Sequence, residues 1–168
     1  MGDSGPAYSP PACEGLDGLA QAVQLARRTP ALLAELEGLY RELDERLAGR
    51  PGQCRGCGQC CDFAAYGHRL YVSSAELALL TRAELADPRA LGEHRCPYRR
   101  EGLCTARRER ALGCRVFFCQ GIATATVNGL YEDFHGRIRQ VHRRYCIPYT
   151  YAELTASLAQ LITAAKVS

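Results

Sequence analysis

Eight cysteines gathered in one stretch of this 168-residue chain are the residues best suited to chemistry. They are Cys54, Cys57, Cys60, Cys61, Cys96, Cys104, Cys114 and Cys119. Inert cysteines behave as small hydrophobic residues scattered through a core, which is a poor description of this clustering. Gly56 and Gly58 permit left-handed backbone angles between the first thiols and let amide groups approach sulfur. The spacing therefore predicts that thiolates from remote parts of the chain converge on a bound metal.

The spacing of the first cysteines bears on which metal is bound. Cys54, Cys57 and Cys60 form a C-x2-C-x2-C run like those that bind three irons of a 4Fe-4S cluster, with a distant fourth cysteine completing the set. Zinc more often takes a C-x2-C pair from each of two separated knuckles. The spacing thus favours an iron-sulfur cluster, with zinc as the alternative. Because Cys60 and Cys61 are adjacent, they do not both bind one metal atom in relaxed geometry, and the number of metal sites stays open.

Positive charge accompanies the second group of cysteines. The net charge is only +3, but seven arginines lie among these thiols: Arg95, Arg99, Arg100, Arg107, Arg108, Arg110 and Arg115. A metal centre with four thiolates carries net negative charge, which guanidinium groups stabilise. A nucleic-acid surface is the rival explanation. The modest net charge and the lack of a basic motif interleaved with aromatics favour a solvated or cluster-compensating face instead.

Residues 54–119 resemble the CxxCxxCC family of zinc- or iron-chelating domains, the YkgJ-like cysteine-cluster proteins. The likeness rests on Cys54-x2-Cys57-Gly58-x-Cys60-Cys61, on Cys96-Pro97-Tyr98, and on Cys104-x9-Cys114-Arg115-x-Phe117-x-Cys119. Arg110 also falls on the family pattern, whereas Ala106, Arg107 and Ala111 depart from its Ile, Tyr and Pro. The resemblance implies metal binding and leaves the metal open. A flagellin lysine methylase also resembles this family, which implies that the module can accompany an enzyme.

These observations predict a cysteine-ligated metalloprotein whose iron-sulfur cluster serves electron transfer, redox sensing or an accessory role. The first alternative is a zinc-stapled interaction module. The second is a metal-dependent enzyme or modification factor with an open cluster site. The sequence has no recognisable acid-base carboxylate pair, no glycine-rich phosphate loop and no nucleophile elbow, so it gives no support for catalysis. The expected partner is a redox protein or another protein whose identity stays open.

Composition sets the expected compartment and domain organisation. Residues 1–12 are rich in Gly, Pro and Ser and lack the basic and apolar regions of a secretory signal. No apolar stretch approaches the roughly 20 residues that span a bilayer. We therefore expect a cytoplasmic protein, whose thiols bind metal rather than form disulfides. We expect a flexible tail at 1–12 and a single helical metal-binding domain at 13–168, with its cysteine cluster at 54–119.

The remaining sequence predicts a mainly α fold, a small helical domain around a cysteine-rich, loop-dominated segment. One helix is predicted from Leu16, Leu19, Val23 and Ala26. A second, starting at Thr29-Pro30, is predicted from Leu32, Leu36, Leu39, Leu43 and Leu47. A third helix carries one apolar face after a possible Asn128 cap, formed by Phe134, Ile138, Val141 and Tyr145.

Two capping-box patterns mark further helix starts. Ser73-Ser74-Ala75-Glu76 follows a short predicted strand at Arg69–Val72 and introduces a helix toward Ala86. Thr150-Tyr151-Ala152-Glu153 introduces the last helix. The nearby aromatic and histidine residues Tyr145, Tyr149, Tyr151, His135 and His142 are expected to serve packing or surface roles, with the tyrosines at the edge of the core. Cys13 and Cys146 fall outside the cysteine framework; the first is expected to be exposed and the second buried.

Overall fold

Helices dominate the part of the chain that a computed structural model describes, residues 18–49, 57–83, 87–116 and 125–167. Within these ranges the fold is mainly α, as the sequence predicts. The helices are α1 (Leu19–Arg27), α2 (Pro30–Leu47), α3 (Phe63–Tyr66), α4 (Ser74–Leu80), α5 (Leu112–Val116), α6 (Ala125–Arg144) and α7 (Leu154–Val167). Each of them contributes side chains to one hydrophobic core. None of these described helices is both long and apolar enough to cross a bilayer.

Two small antiparallel sheets supplement the helices. The first pairs β1 (Tyr71–Ser73) with β4 (Tyr151–Glu153), and the second pairs β2 (Arg99–Arg100) with β3 (Leu103–Cys104). Two short 3-10 helices, Gln59–Cys61 and Pro88–Glu93, lie in the cysteine-rich half. That half is therefore built from short elements joined by turns.

The leucine stripe of α2 is buried, as its spacing predicts. Leu32 and Leu36 are fully buried, and Pro30 occupies the first turn, where its missing N–H costs nothing. Thr29 takes the N-cap position, but its hydroxyl donates to the carbonyl of Leu25 at 2.8 Å instead of capping α2. This bond ties the start of α2 to the end of α1, and the predicted pair of helices is confirmed.

The capping box at the start of α4 forms. The Ser73 hydroxyl accepts from the backbone N–H of Glu76 at 3.3 Å, and the Glu76 carboxylate accepts from the N–H of Ser73 at 2.8 Å. Every residue of α4 is buried, and the helix packs against α1 and α2. It ends at Leu80, short of the predicted extension toward Ala86. The predicted strand before it is β1, in which Tyr71 lies opposite Glu153.

Two predicted helix caps in the last third are wrong, although the helices themselves, α6 and α7, form. Asn128 does not cap a helix, because α6 already runs through it from Ala125. The buried hydroxyl of Thr150 has no hydrogen-bond partner among the described residues, so the second capping box does not form. Instead, the Glu153 carboxylate accepts from the N–H of Ala156 at 2.7 Å in the first turn of α7. The predicted apolar face of α6 is confirmed by the burial of Phe134, Ile138 and Val141.

Candidate metal centre

Six of the eight predicted cysteine ligands belong to the described part of the chain. They are Cys57, Cys60, Cys61, Cys96, Cys104 and Cys114, and none of them forms a disulfide. The other two, Cys54 and Cys119, lie outside the described residues. Cys57 is exposed and Cys96 is buried, while the remaining four are half-buried. The six come from four segments, so the contacts that join these segments decide whether the thiols meet.

The first segment is a tight turn that needs glycine. Gly58 has a left-handed φ of 69°, as the sequence predicts, and its carbonyl accepts from the N–H of Cys61 at 3.2 Å. The turn also touches the β2–β3 hairpin, since a Cβ at Gly58 would lie 2.7 Å from the carbonyl oxygen of Gly102. The missing side chain therefore lets the hairpin approach the first cysteines.

Backbone pairing brings the second segment to the first. The N–H of Cys96 donates to the carbonyl of Cys61 at 2.8 Å. Next to this bond, Asp62 and Arg95 form an isolated antiparallel bridge. These contacts join residues far apart in the sequence, and they fix Cys61 and Cys96 side by side.

The third segment is the hairpin that carries Cys104. In its register Arg99 lies opposite Cys104, and the N–H of Thr105 donates to the carbonyl of Tyr98 at 2.8 Å. Because Cys96 and Tyr98 immediately precede β2, the hairpin returns Cys104 to the side of the second segment. Three of the four cysteine-bearing segments are thus linked by backbone contacts.

A buried carboxylate holds the fourth segment, α5, which carries Cys114. Glu76 accepts from the N–H of Leu112 at the start of α5 and from the Tyr40 hydroxyl, each at 2.9 Å. Together with the bond from Ser73, this satisfies a carboxylate that water does not reach. Glu76 therefore positions Cys114 relative to α2 and α4.

The thiols of these segments are electrostatic neighbours. Burial raises the pKa of Cys114, and the thiols of Cys61 and Cys104 raise it further. The hydrogen bond with Cys61, followed by burial, raises the pKa of Cys60. The hydrogen bond with Cys60 lowers the pKa of Cys61, but the bond with Cys96 and burial outweigh it and leave a value of about 12. The thiols of Cys60, Cys61 and Cys114 are therefore protonated at neutral pH, and the thiols of Cys96 and Cys104 are their neighbours.

This neighbourhood is not a preformed chelate. Within the described ranges, no three His, Cys, Asp or Glu side chains are arranged to hold a metal ion. The pairwise contacts bring the sulfur atoms near one another without a common centre. Cys57 is the most exposed of the six, and its backbone carbonyl faces Gly102 of the hairpin.

One arginine lies beside the thiols with unused hydrogen-bonding capacity. The Arg110 side chain is only 13% exposed, and its Nη2 lies 3.9 Å from the Asp44 carboxylate. Its buried Nε and Nη1 have no hydrogen-bond partner in the described part of the chain. The guanidinium lowers the pKa of both Cys60 and Cys114, although burial and thiol contacts outweigh it. Arg110 thus places a positive charge beside thiols that, in their neutral form, do not balance it.

Arg115, a second arginine of the family-like pattern, has a structural role. Its Nη1 pairs with Asp44 at 2.6 Å, and its Nε and Nη2 donate to the carbonyls of Arg110 and Arg108 at 2.9 and 2.6 Å. The guanidinium also lies 4.2 Å from the centre of the Tyr40 ring. Arg115 therefore fastens the loop before α5 to α2.

Sequence reasoning missed the residues that support the site from outside the cysteine-rich segment. Asp44 and Tyr40 lie on α2 and carry no signal beyond a helical pattern. Glu76 is recognisable as a capping-box residue, but nothing in the sequence indicates its bond to α5. The expectation that Cys146 is buried is wrong, since this residue is half-buried in a turn after α6 with a φ of 51°.

Known proteins were compared with the chain by family model, by sequence and by structure. No family model, no curated protein and no solved structure matches it. The resemblance to CxxCxxCC domains therefore stays a prediction that rests on the motif residues themselves.

Proposed function

We propose that this protein is a cysteine-ligated metalloprotein that holds an iron-sulfur cluster, of the 4Fe-4S type, for electron transfer, redox sensing or an accessory role. The observation that carries the proposal is the group of five neighbouring thiols beside a buried guanidinium with two unpaired nitrogen donors. If these cysteines served only to pack the core, the Arg110 guanidinium, with donors that lack partners, would add no stability at its edge.

Metal binding accounts for both features at once. Metal ions bind thiolates, so binding displaces the protons that the thiols of Cys60, Cys61 and Cys114 carry at neutral pH. The sulfurs would then carry negative charge and accept hydrogen bonds, and the free Nε and Nη1 of Arg110 are suitable donors. The same donors are unused when the thiols are neutral, because a thiol sulfur is a weak acceptor.

The proposed ligands follow the sequence framework. Cys54, Cys57 and Cys60 form the local run, and the fourth ligand comes from Cys61, Cys96, Cys104, Cys114 or Cys119. The C-x2-C-x2-C spacing supports iron-sulfur over zinc. When bound, such a cluster supplies one-electron chemistry, while this chain binds it, surrounds it with Gly58 and Arg110, and sets its exposure to solvent.

Metal analysis of protein purified without oxygen tests the proposal. We expect a brown protein that contains iron and acid-labile sulfide, with Mössbauer spectra of a four-iron cluster. The Cys60→Ser variant should lose most of its iron, because Cys60 belongs to the proposed C-x2-C-x2-C ligand run and its thiol contacts that of Cys61. Cys146→Ser is the matched control: its thiol is also half-buried but lies outside the framework, so its iron content should not change.

Two results would overturn the proposal. A colourless folded protein with stoichiometric zinc would establish the structural-zinc alternative. Equal metal content in Cys60→Ser and Cys146→Ser would show that the C-x2-C-x2-C run does not bind the metal.

A further inference from the structure

Three exposed tyrosines lie together on the surface of the first sheet. Tyr71 of β1 is 44% exposed, and Tyr149 and Tyr151, before and within β4, are each 38% exposed. The expectation that Tyr149 and Tyr151 form core edges is therefore wrong. Together with Tyr131 and His135 of α6, these residues form what we term the tyrosine face. Clustered exposed aromatics of this kind mark interaction surfaces more often than scattered ones do.

The sheet register and the helix period explain the arrangement. Ser73 lies opposite Tyr151, so Tyr71 is the diagonal neighbour of Tyr151, and their rings stack with centroids 5.8 Å apart. The rings of Tyr149 and Tyr151 are nearly parallel, 9° apart, with centroids at 6.3 Å. On α6, Tyr131 and His135 are one turn apart, which places the His135 ring 4.9 Å from that of Tyr151.

Hydrogen bonds among the side chains hold the rings in place. The Tyr149 hydroxyl and His135 Nε2 are 2.6 Å apart, and the hydroxyls of Tyr131 and Tyr151 bond to each other. In the Tyr131–Tyr151 pair, one hydroxyl donates its proton to the other. The accepting hydroxyl keeps its own proton, which can donate to a bound molecule. The face is thus preorganised, and it offers flat apolar rings with few free donors.

The charges around the face do not suit a polyanion. The Arg139 guanidinium lies 5.7 Å from the centre of the Tyr149 ring. Two carboxylates lie beside the face, since Glu132 follows Tyr131 on α6 and Glu153 lies opposite Tyr71 in the sheet register. One cation against two carboxylates gives no basic track for a phosphate backbone, although bases stack well on tyrosine.

The ring angles do not suit an organic cation either. Aromatic cages for quaternary ammonium groups surround the ligand with ring faces. In the tyrosine face, the planes of contacting rings differ by only 9° to 46°. The rings therefore form a ridged surface and do not enclose a ligand. Arg139 already occupies the position of a cation beside Tyr149.

We propose that the tyrosine face binds a proline-rich segment of a partner protein in the polyproline II conformation. Such a segment is uncharged, packs its rings against ridges of aromatic side chains, and has no backbone hydrogen bonds of its own to break. The carbonyls of such a segment need few hydrogen-bond donors from the protein, and the Tyr131–Tyr151 pair offers one spare hydroxyl proton. This binding activity is independent of the cysteine-rich segment.

Titration of the full-length protein with a decaproline peptide, followed by backbone amide NMR, tests the proposal. The peptide should shift the signals of residues 71, 149 and 151, and Tyr71→Ala should weaken binding at least about tenfold. Tyr71→Phe should retain binding, since it keeps the ring. Tyr66→Ala is the matched control, because Tyr66 is also 44% exposed but lies on α3; it should bind as the unaltered protein does.

Three outcomes would overturn the proposal. One is the absence of shifts at the tyrosine face with millimolar peptide. Another is equal weakening by Tyr71→Ala and Tyr66→Ala, which would indicate non-specific contact. The third is binding of an oligothymidine at this face in place of decaproline, which would identify a nucleic-acid surface.

Discussion

The helical half of the molecule and its cysteine-rich half, residues 57–66 and 87–116, are held together by different interactions. Around α2 and α6 the contacts are between apolar side chains that are almost completely buried, such as Leu36, Leu43 and Phe134. In residues 57–66 and 87–116 the secondary-structure elements are short, and backbone bonds join them across long sequence separations. Arg115 and Glu76 then attach the loop before α5 and the start of that helix by polar contacts.

This difference shows where the order of each half originates. An amphipathic helix carries its own periodic signal and needs only a partner surface. The cysteine-rich half lacks such a signal and depends on side chains that belong to the other half: Asp44 and Tyr40 on α2, and Glu76 on α4. We therefore expect the strongest single perturbations of that half at its polar attachments.

The largest expected effect is that of Arg115→Met. The Arg115 side chain is 3% exposed and pairs with Asp44 at 2.6 Å. Its removal costs two charge-assisted hydrogen bonds to the part-buried carbonyls of Arg108 and Arg110, so we expect a loss of about 3–4 kcal/mol in the free energy of unfolding. Urea unfolding measures this loss, and hydrogen exchange should show faster exchange in residues 108–116.

Arg82→Met is the control for that experiment. Arg82 pairs with Glu37 at the same 2.6 Å distance, but both side chains are nearly half exposed. Exposed pairs contribute between about 0 and 1 kcal/mol, so this substitution should change stability little. Equal effects of the two substitutions would contradict the role assigned to Arg115.

The features that the sequence predicts correctly are local. The leucine stripe of α2 and the Ser73–Glu76 capping box each depend on residues within a few positions of one another. The Thr150–Glu153 pattern has the same spacing as the first box, but Glu153 itself accepts from the N–H of Ala156 in the first turn of α7, and the Thr150 hydroxyl is not used within the described ranges. Local spacing therefore identifies candidates for helix caps, and the position of the first helical turn decides which residue caps.

The candidate site is predictable only in its list of sulfur atoms. The framework indicates which cysteines belong together, but it contains no information on the contact between Gly58 and Gly102. It also treats Arg110 and Arg115 alike, whereas Arg110 lies beside thiols with two donors unused among the described residues and Arg115 binds Asp44 and two backbone carbonyls. The position of each guanidinium depends on where α2 lies, which is a property of the whole fold.

The second largest effect concerns pH and is confined to the helical half. Burial lowers the pKa of His142 to about 4. Its Nδ1 lies 3.2 Å from the Ile147 carbonyl, which can only accept, so the neutral ring carries its proton there. The unfolded chain takes up a proton near pH 6.5 and the folded chain only near 4. Stability should therefore fall as pH drops through this window, by up to about 3 kcal/mol.

Urea unfolding at several pH values between 7.5 and 4 measures this loss, with His142→Asn as the reference variant. Asparagine keeps a donor for the Ile147 carbonyl and does not titrate. The stability difference between the two proteins should shrink or reverse as the pH falls. A difference that stays constant across the window would show that the His142 ring does not carry the effect.

The smallest predicted effects come from two glycine substitutions, one in each half of the molecule. Gly136 lies inside α6 with no atom within 4 Å of an added Cβ, so Gly136→Ala should stabilise the protein by about 0.5–1 kcal/mol through helix propensity. Gly58→Ala should destabilise it by about 1–2 kcal/mol, since its φ is left-handed and the Cβ would press on the Gly102 carbonyl. Urea midpoints give both signs. If both substitutions stabilised the protein, the turn and the hairpin would not be packed together, and the thiols of the two segments would lose the contact that brings them close.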